Sequence, residues 1–116
     1  METASVSFNE GIKKILLHDY AGAISDFTRT IEAEPDNVAA YNNRGFARNK
    51  LNDTSGETSD YTKAIEINPK DEISWLNRGP AREKLNEYCF GFNFRGTIFL
   101  FHLLIFLFYQ DLLSAY

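Results

Sequence analysis

The sequence predicts an all-α chain: helical hairpins stacked as a solenoid of about two and a half repeats, followed by an apolar C-terminal helix. Three observations predict it. The stretch Tyr61–Pro69, YTKAIEINP, repeats Phe27–Pro35, FTRTIEAEP, at a period of 34 residues. The same shift aligns Gly11, Gly45 and Gly79, and Leu17, Leu51 and Leu85, and it leaves eight of ten positions identical between 43–52 and 77–86. A fixed period of that size is the mark of a helical or mixed solenoid. Second, apolar residues recur at helical rather than strand spacing. Third, Pro35 and Pro69 close the two copies at the same place, where a proline ends a helix.

The elements follow in order. Residues 5–17 carry Phe8, Ile12, Ile15 and Leu16 on one helical face. A second helix spans 20–33 with Ala23, Ile24, Phe27 and Ile31 inward, and Pro35 stops it. Short connections favour antiparallel neighbours. The second copy starts at Asn37, an N-cap residue, and its first helix carries Tyr41, Phe46, Ala47 and Leu51. Gly45 has no side chain, so the partner helix can approach closely. The mate spans 54–67 with Tyr61, Ala64 and Ile65 inward. Where copy one has Tyr20, Ala23 and Ile24, copy two has Thr54, Glu57 and Thr58. A carboxylate in a small apolar slot packs only if it reaches water or a partner, and Gly56 weakens the same turn. The start of this helix is therefore expected to be frayed or shifted. The third copy begins at Asp71 and carries Trp75, Leu76, Ala81 and Leu85. Pro80 lies inside it, which costs about 3 kcal/mol in a helix interior. A helix starting at Gly79, or a kink, is expected there.

After Tyr88 the pattern ends. The chain divides into a repeat region, 1–88, with copies over 4–37, 38–71 and a partial 72–88, and an apolar tail, 89–116. Of 28 charged residues only Arg95 and Asp111 lie in the tail, together with most of the ten phenylalanines. Ile98–Tyr109, IFLFHLLIFLFY, is apolar all round apart from His102, a pattern found in buried or lipid-facing helices. Its length falls short of the roughly 20 residues of a membrane span. Counting 90–116 supplies enough, so a tail anchor is the alternative to a soluble adaptor. In water the tail would fold back, self-associate or aggregate. The abrupt break also fits a longer repeat protein whose frame ended early.

Composition narrows function. The net charge of −4 and pI near 5.1 argue against nucleic acid as the main partner, which needs a basic face. One cysteine, Cys89, excludes an internal disulfide and fits a reducing compartment. The N-terminus has no secretory pattern, so a cytoplasmic location is expected, with membrane association through the tail as the alternative. His18 with Asp19 reads as a solvated turn, and His102 as a packed or interfacial residue. Two separated histidines and one cysteine approach no metal-ligand spacing. No glycine-rich phosphate loop is present. Acidic pairs such as Glu32/Glu34 and Asp71/Glu72 flank helix ends and read as caps and surface charge. No catalytic group, cofactor or metal is expected.

The period and the residue slots resemble the tetratricopeptide repeat, whose pattern is a large aromatic, Gly, Tyr, a small residue four before an aromatic, and a closing Pro. The slots are filled by Tyr41 and Trp75, by Gly11, Gly45 and Gly79, by Tyr20, Ala23, Phe27 and Pro35, and by Tyr61, Ala64 and Pro69. The resemblance covers about 4–88. It implies a non-enzymatic, co-chaperone-like scaffold that holds a peptide or partner helix in a concave groove lined by the first helix of each pair. The groove slots correspond to Asn42, Asn43, Phe46, Asn49, Lys50, Leu76, Asn77, Glu83 and Lys84, with Phe8, Ile12 and Ile15 from copy one. Asparagine amides both donate and accept, which suits an extended ligand. Some members clamp a chaperone's C-terminal carboxylate with two Lys, two Asn and an Arg. Of those five slots only Asn43 matches; Phe8, Ile12, Ile73 and Asn77 fill the others, so chaperone-tail binding is disfavoured.

Overall fold

The computed structural model describes residues 3–89 and 94–114, with side chains at 3–85 and 103–114. These residues form six helices: α1 Ala4–Leu16, α2 Tyr20–Ala33, α3 Val38–Lys50, α4 Thr54–Ile67, α5 Glu72–Cys89 and α6 Phe94–Ser114. The chain divides into two compact units, Met1–Lys84 and Leu85–Tyr116. The first is an all-α helical-hairpin solenoid in which α1 packs on α2, α3 on α4, and α3 also on α2.

Local sequence sets each start. Asp19 and Asp53, one period apart, cap α2 and α4 by accepting from the Gly22 and Gly56 N–H groups at 3.0 Å. Asn37 caps α3 in the same way through Ala40 at 3.0 Å, and Thr3 caps α1 through Val6. Such caps satisfy backbone donors that have no partner within the helix. The two hairpin turns place His18 at φ 60° and Asn52 at φ 59°. That left-handed conformation reverses the chain in three residues.

The interior of the first unit is small in its apolar part and polar in much of the rest. Ala23, Phe27 and Ala47 form its centre, with Phe8, Ile12, Ile15, Tyr20 and Ile24 half-buried around them. Phe8 meets Phe27 edge to face at 5.6 Å. Gly11 and Gly45 admit the aromatic of the partner helix. A methyl group at either would stand 2.7 Å from Phe27 Cε1 or 2.8 Å from Tyr61 Cε1. Beside each aromatic lies a buried aspartate. Asp26 receives Lys14 Nζ at 2.7 Å and also pairs with Arg29. Asp60 receives Arg44 Nη2 at 2.7 Å and Arg48 Nη1 at 2.9 Å. Asp26 in turn raises the Lys14 ammonium above its ordinary range.

Two expectations are corrected. First, α4 is neither frayed nor shifted. It has 14 residues, as α2 does. Glu57 is only 4% exposed, and both its carboxylate oxygens accept from Asn49 Nδ2 at 3.1 Å. The charge keeps a donor, so the apolar slot accepts it. Second, of the restart at Gly79 and the kink expected at Pro80, the restart is excluded, because α5 runs through Pro80 from Glu72. Both Pro80 and Leu76 are exposed. The helix face that carries them is therefore turned to water.

In the second unit, α6 exposes every described side chain from Leu103 to Ser114. Among the described residues no helix is long and apolar enough to cross a membrane, so the tail-anchor alternative gains no support. The readings of Cys89 and His102 fall on side chains outside the described set. His18 is exposed in its turn and stacks on Tyr20 at 5.9 Å.

Candidate functional site

The predicted groove residues lie on α3 and α5. On α3, Asn42, Phe46, Asn49 and Lys50 fall at i, i+4, i+7 and i+8, which is one helical face. Their side chains are not equally free. Asn42 donates to Asp71 Oδ2 at 3.0 Å and accepts from Ser74 Oγ at 3.0 Å. Both ends of its amide are engaged in joining α3 to the start of α5. Asp71 is held below the ordinary carboxylate value of 3.8 by the Ser74 hydroxyl and by Asn42, against a smaller opposing effect of burial. Asn49 gives its amide to Glu57. Asn43 donates to the Ala39 carbonyl of its own helix at 2.8 Å, which leaves its oxygen outward.

The exposed part of this face is apolar and cationic. Phe46 is 40% exposed, and Lys50 Nζ stands 5.3 Å from its ring centre. On α5, Ile73 and Leu76 are 62% and 74% exposed. Asn77 is half-buried, while Glu83 and Lys84 are exposed. On α1, Phe8 and Ile12 are half-buried against the core. The face offers apolar area with amide and ammonium groups at its edges. Among the described residues no group of three or more His, Cys, Asp or Glu could hold a metal ion.

The sequence reading missed two networks. One is the pair of buried aspartates with their cations. The signal was available, because Asp26/Asp60 and Lys14/Arg48 also recur at the repeat period. The other is the Asn42–Asp71–Ser74 junction, which joins residues 29 and 32 positions apart. No local pattern marks it.

Stacked two-helix hairpins with small residues at the helix crossings place the chain among helical-repeat solenoids. Within that class it has the tetratricopeptide-repeat fold. The first such domain of Spaghetti (RPAP3), bound to the HSP90 peptide SRMEEVD, is similar at a TM-score of 0.70 and 28% identity, over 73% of this chain and 68% of that one. The second domain of the same protein, bound to the same peptide, matches at 0.70 and 27%, over 74% and 80%. The TPR2B domain of yeast Sti1 in complex with pHsp70 matches at 0.69 and 27%, over 74% and 69%. No protein-family model and no curated protein matches the chain.

Proposed function

We propose that the face made by α1, α3 and α5 binds a peptide or a partner helix, and that the chain acts as a non-enzymatic interaction module. The observation that carries this reading is the exposed apolar strip of Phe46, Ile73 and Leu76 on successive first helices of the hairpins. Similar folds hold peptides. Exposed aromatic and aliphatic anchors at a groove centre supply most of the energy in such contacts. Asn43 and Asn77 supply amides at the edge of the strip. Glu83 and Lys84 place both charge signs on α5. Asn42 and Asn49 act one step back, by fixing α5 and α4 against α3.

The ligand class differs from that of the similar domains. SRMEEVD is an acidic peptide, and a carboxylate clamp of the kind described above needs cations where this chain has Phe8, Ile73 and Asn77. The ligand here is a segment with apolar side chains. The test is a peptide library displayed on phage and selected against the full chain, with affinities then measured by fluorescence polarisation. Selected peptides carry apolar anchors and lose at least about tenfold, or 1.4 kcal/mol, in a Phe46→Ala/Leu76→Ala variant, while SRMEEVD binds more weakly than they do. Selected peptides that bind this variant as well as the parent overturn the reading.

A further inference from the structure

We propose that Arg78, Gly79 and Arg82 of α5 form a second binding site, which takes a helix of another polypeptide carrying an aspartate followed directly by Phe or Tyr. It is separate from the peptide face above. The two complete hairpins close in the same way. In the first, the pair Asp26-Phe27 of α2 faces α1, with the ring over Gly11 and the carboxylate on Lys14. In the second, Asp60-Tyr61 of α4 faces α3, with the ring over Gly45 and the carboxylate on Arg44 and Arg48. One helix presents a glycine with a cation three residues later. Its mate presents an Asp-aromatic dipeptide.

The receiving half recurs on α5. Gly79 occupies the glycine register, Arg82 the register of Lys14 and Arg48, and Arg78 that of Arg44. Arg78 is steadied over the Trp75 ring at 4.6 Å. The aromatic is what differs. A methyl group at Gly79 would meet nothing within 4 Å, whereas at Gly11 and Gly45 it would strike the ring. The donating half does not recur. One period beyond Asp60-Tyr61 the sequence has Phe94-Arg95, and no Asp-Phe or Asp-Tyr pair follows α5. A phenylalanine in the carboxylate register and an arginine in the aromatic register do not complement a glycine flanked by two arginines.

Residues 90–116 hold no pair that complements the site, and the occupant assigned to it is a partner's helix. A folded second copy does not qualify, because its Asp26, Phe27, Asp60 and Tyr61 are all buried in their own hairpins. The site asks for a carboxylate to meet the guanidinium pair and a flat ring to lie on bare backbone. Gly79 supplies the second because only a residue without a side chain lets a ring approach that closely.

The test uses the full chain and a labelled synthetic peptide with the sequence of this chain's residues 19–35, which carries the Asp-Phe pair. Binding is read by fluorescence anisotropy. The full chain binds it saturably. Gly79→Leu fills the ring position and Arg82→Glu reverses the charge, and each weakens binding at least about tenfold. Peptides altered at the positions of Asp26 or Phe27 to alanine lose a similar factor. A Cβ at Gly79 meets nothing within 4 Å beyond its chain neighbours, and helical circular dichroism and melting within a few degrees of the parent's verify that the variant folds. Arg82→Glu, at an exposed position, keeps the test decisive if Gly79→Leu does not fold. Absence of saturable binding overturns the proposal. So does equal binding by Gly79→Leu, or equal binding of the altered peptides. A dimer in sedimentation that Gly79→Leu dissolves would give the site to a second copy and overturn the assignment of the partner.

Discussion

The same substitution at two equivalent positions should have unequal effects. Replacing glycine by alanine inside a helix stabilises it by about 0.5–1 kcal/mol, because alanine loses less backbone freedom on folding. At Gly79 nothing beyond its chain neighbours lies within 4 Å of the added methyl, and the gain is offset only by the following Pro80 ring, which disfavours helical backbone at a preceding residue that carries a Cβ. At Gly45 the methyl would sit 2.8, 3.1 and 3.2 Å from three carbons of the Tyr61 ring. Carbon pairs rest at about 3.5–4.0 Å, so the ring must retreat by roughly 0.7 Å. Tyr61 is buried, and overpacking of this kind costs about 1–3 kcal/mol. The net effect at Gly45 is a loss of about 1–2 kcal/mol.

Gly79→Ala thus stays within about 1 kcal/mol of the parent, whereas Gly45→Ala lowers the melting temperature by about 4–8 °C per kcal/mol for a domain of this size. Thermal and urea melts followed by circular dichroism at 222 nm on the full chain measure both. The change in the unfolded chain is nearly the same for the two variants, so their difference, about 1–3 kcal/mol, reports mainly the Tyr61 contact. Shifts of equal sign and size would show that the ring does not distinguish the two glycines. The register underlying the hairpin description would then be wrong.

Three further outcomes follow from the same geometry. Asp60→Ala strands Arg44, of which only 14% of the side chain is exposed, and should cost about 3 kcal/mol in a urea melt; Asp26→Ala costs less, because Lys14 and Arg29 reach water. Asn49→Ala removes the amide from the buried Glu57 carboxylate and costs about 1–3 kcal/mol, and a double variant with Glu57→Ala recovers most of it, since alanine is what copy one has at Ala23. The lowered pKa of Asp71 contributes stability that is fully present above its ordinary value of 3.8 and is lost as pH falls through the folded value; acid titration of an Asp71→Asn variant should therefore give a flatter stability profile below about pH 4 than that of the parent, and identical slopes would count against the Asn42–Asp71–Ser74 junction.

Periodicity made the hairpins legible. The helices read over 20–33 and 54–67 coincide with α2 and α4, because aromatic, glycine and proline positions act locally and repeat. What escaped were decisions made elsewhere in the chain. Glu57 looked unpackable because its donor, Asn49, lies on the preceding helix. Pro80 looked like a break because exposure of its helix face is a tertiary property. Asn42, read as a groove residue, also joins two repeats, because its partners Asp71 and Ser74 belong to the next one. In each case a residue was judged from its neighbours in sequence, whereas its surroundings are set by the fold.

The buried carboxylates explain how so small an apolar centre can specify one arrangement. Ala23, Ala40, Ala47 and Ala64 are all fully buried, and small flat surfaces of this kind resist sliding poorly. An aspartate inside that surface has few acceptable positions. A shift of α4 by one residue would remove Asp60 from Arg44 and Arg48 and put a charge against apolar atoms, at a cost of several kcal/mol. The ring over glycine sets how close the helices come, and the aspartate sets which residues are opposite. Because Lys14 and Arg29 serve Asp26 while Arg44 and Arg48 serve Asp60, the rule tolerates changes in the cation but not in the carboxylate. The arginines of α5 keep the cationic half of that rule at a helix whose glycine has no ring over it among the described residues.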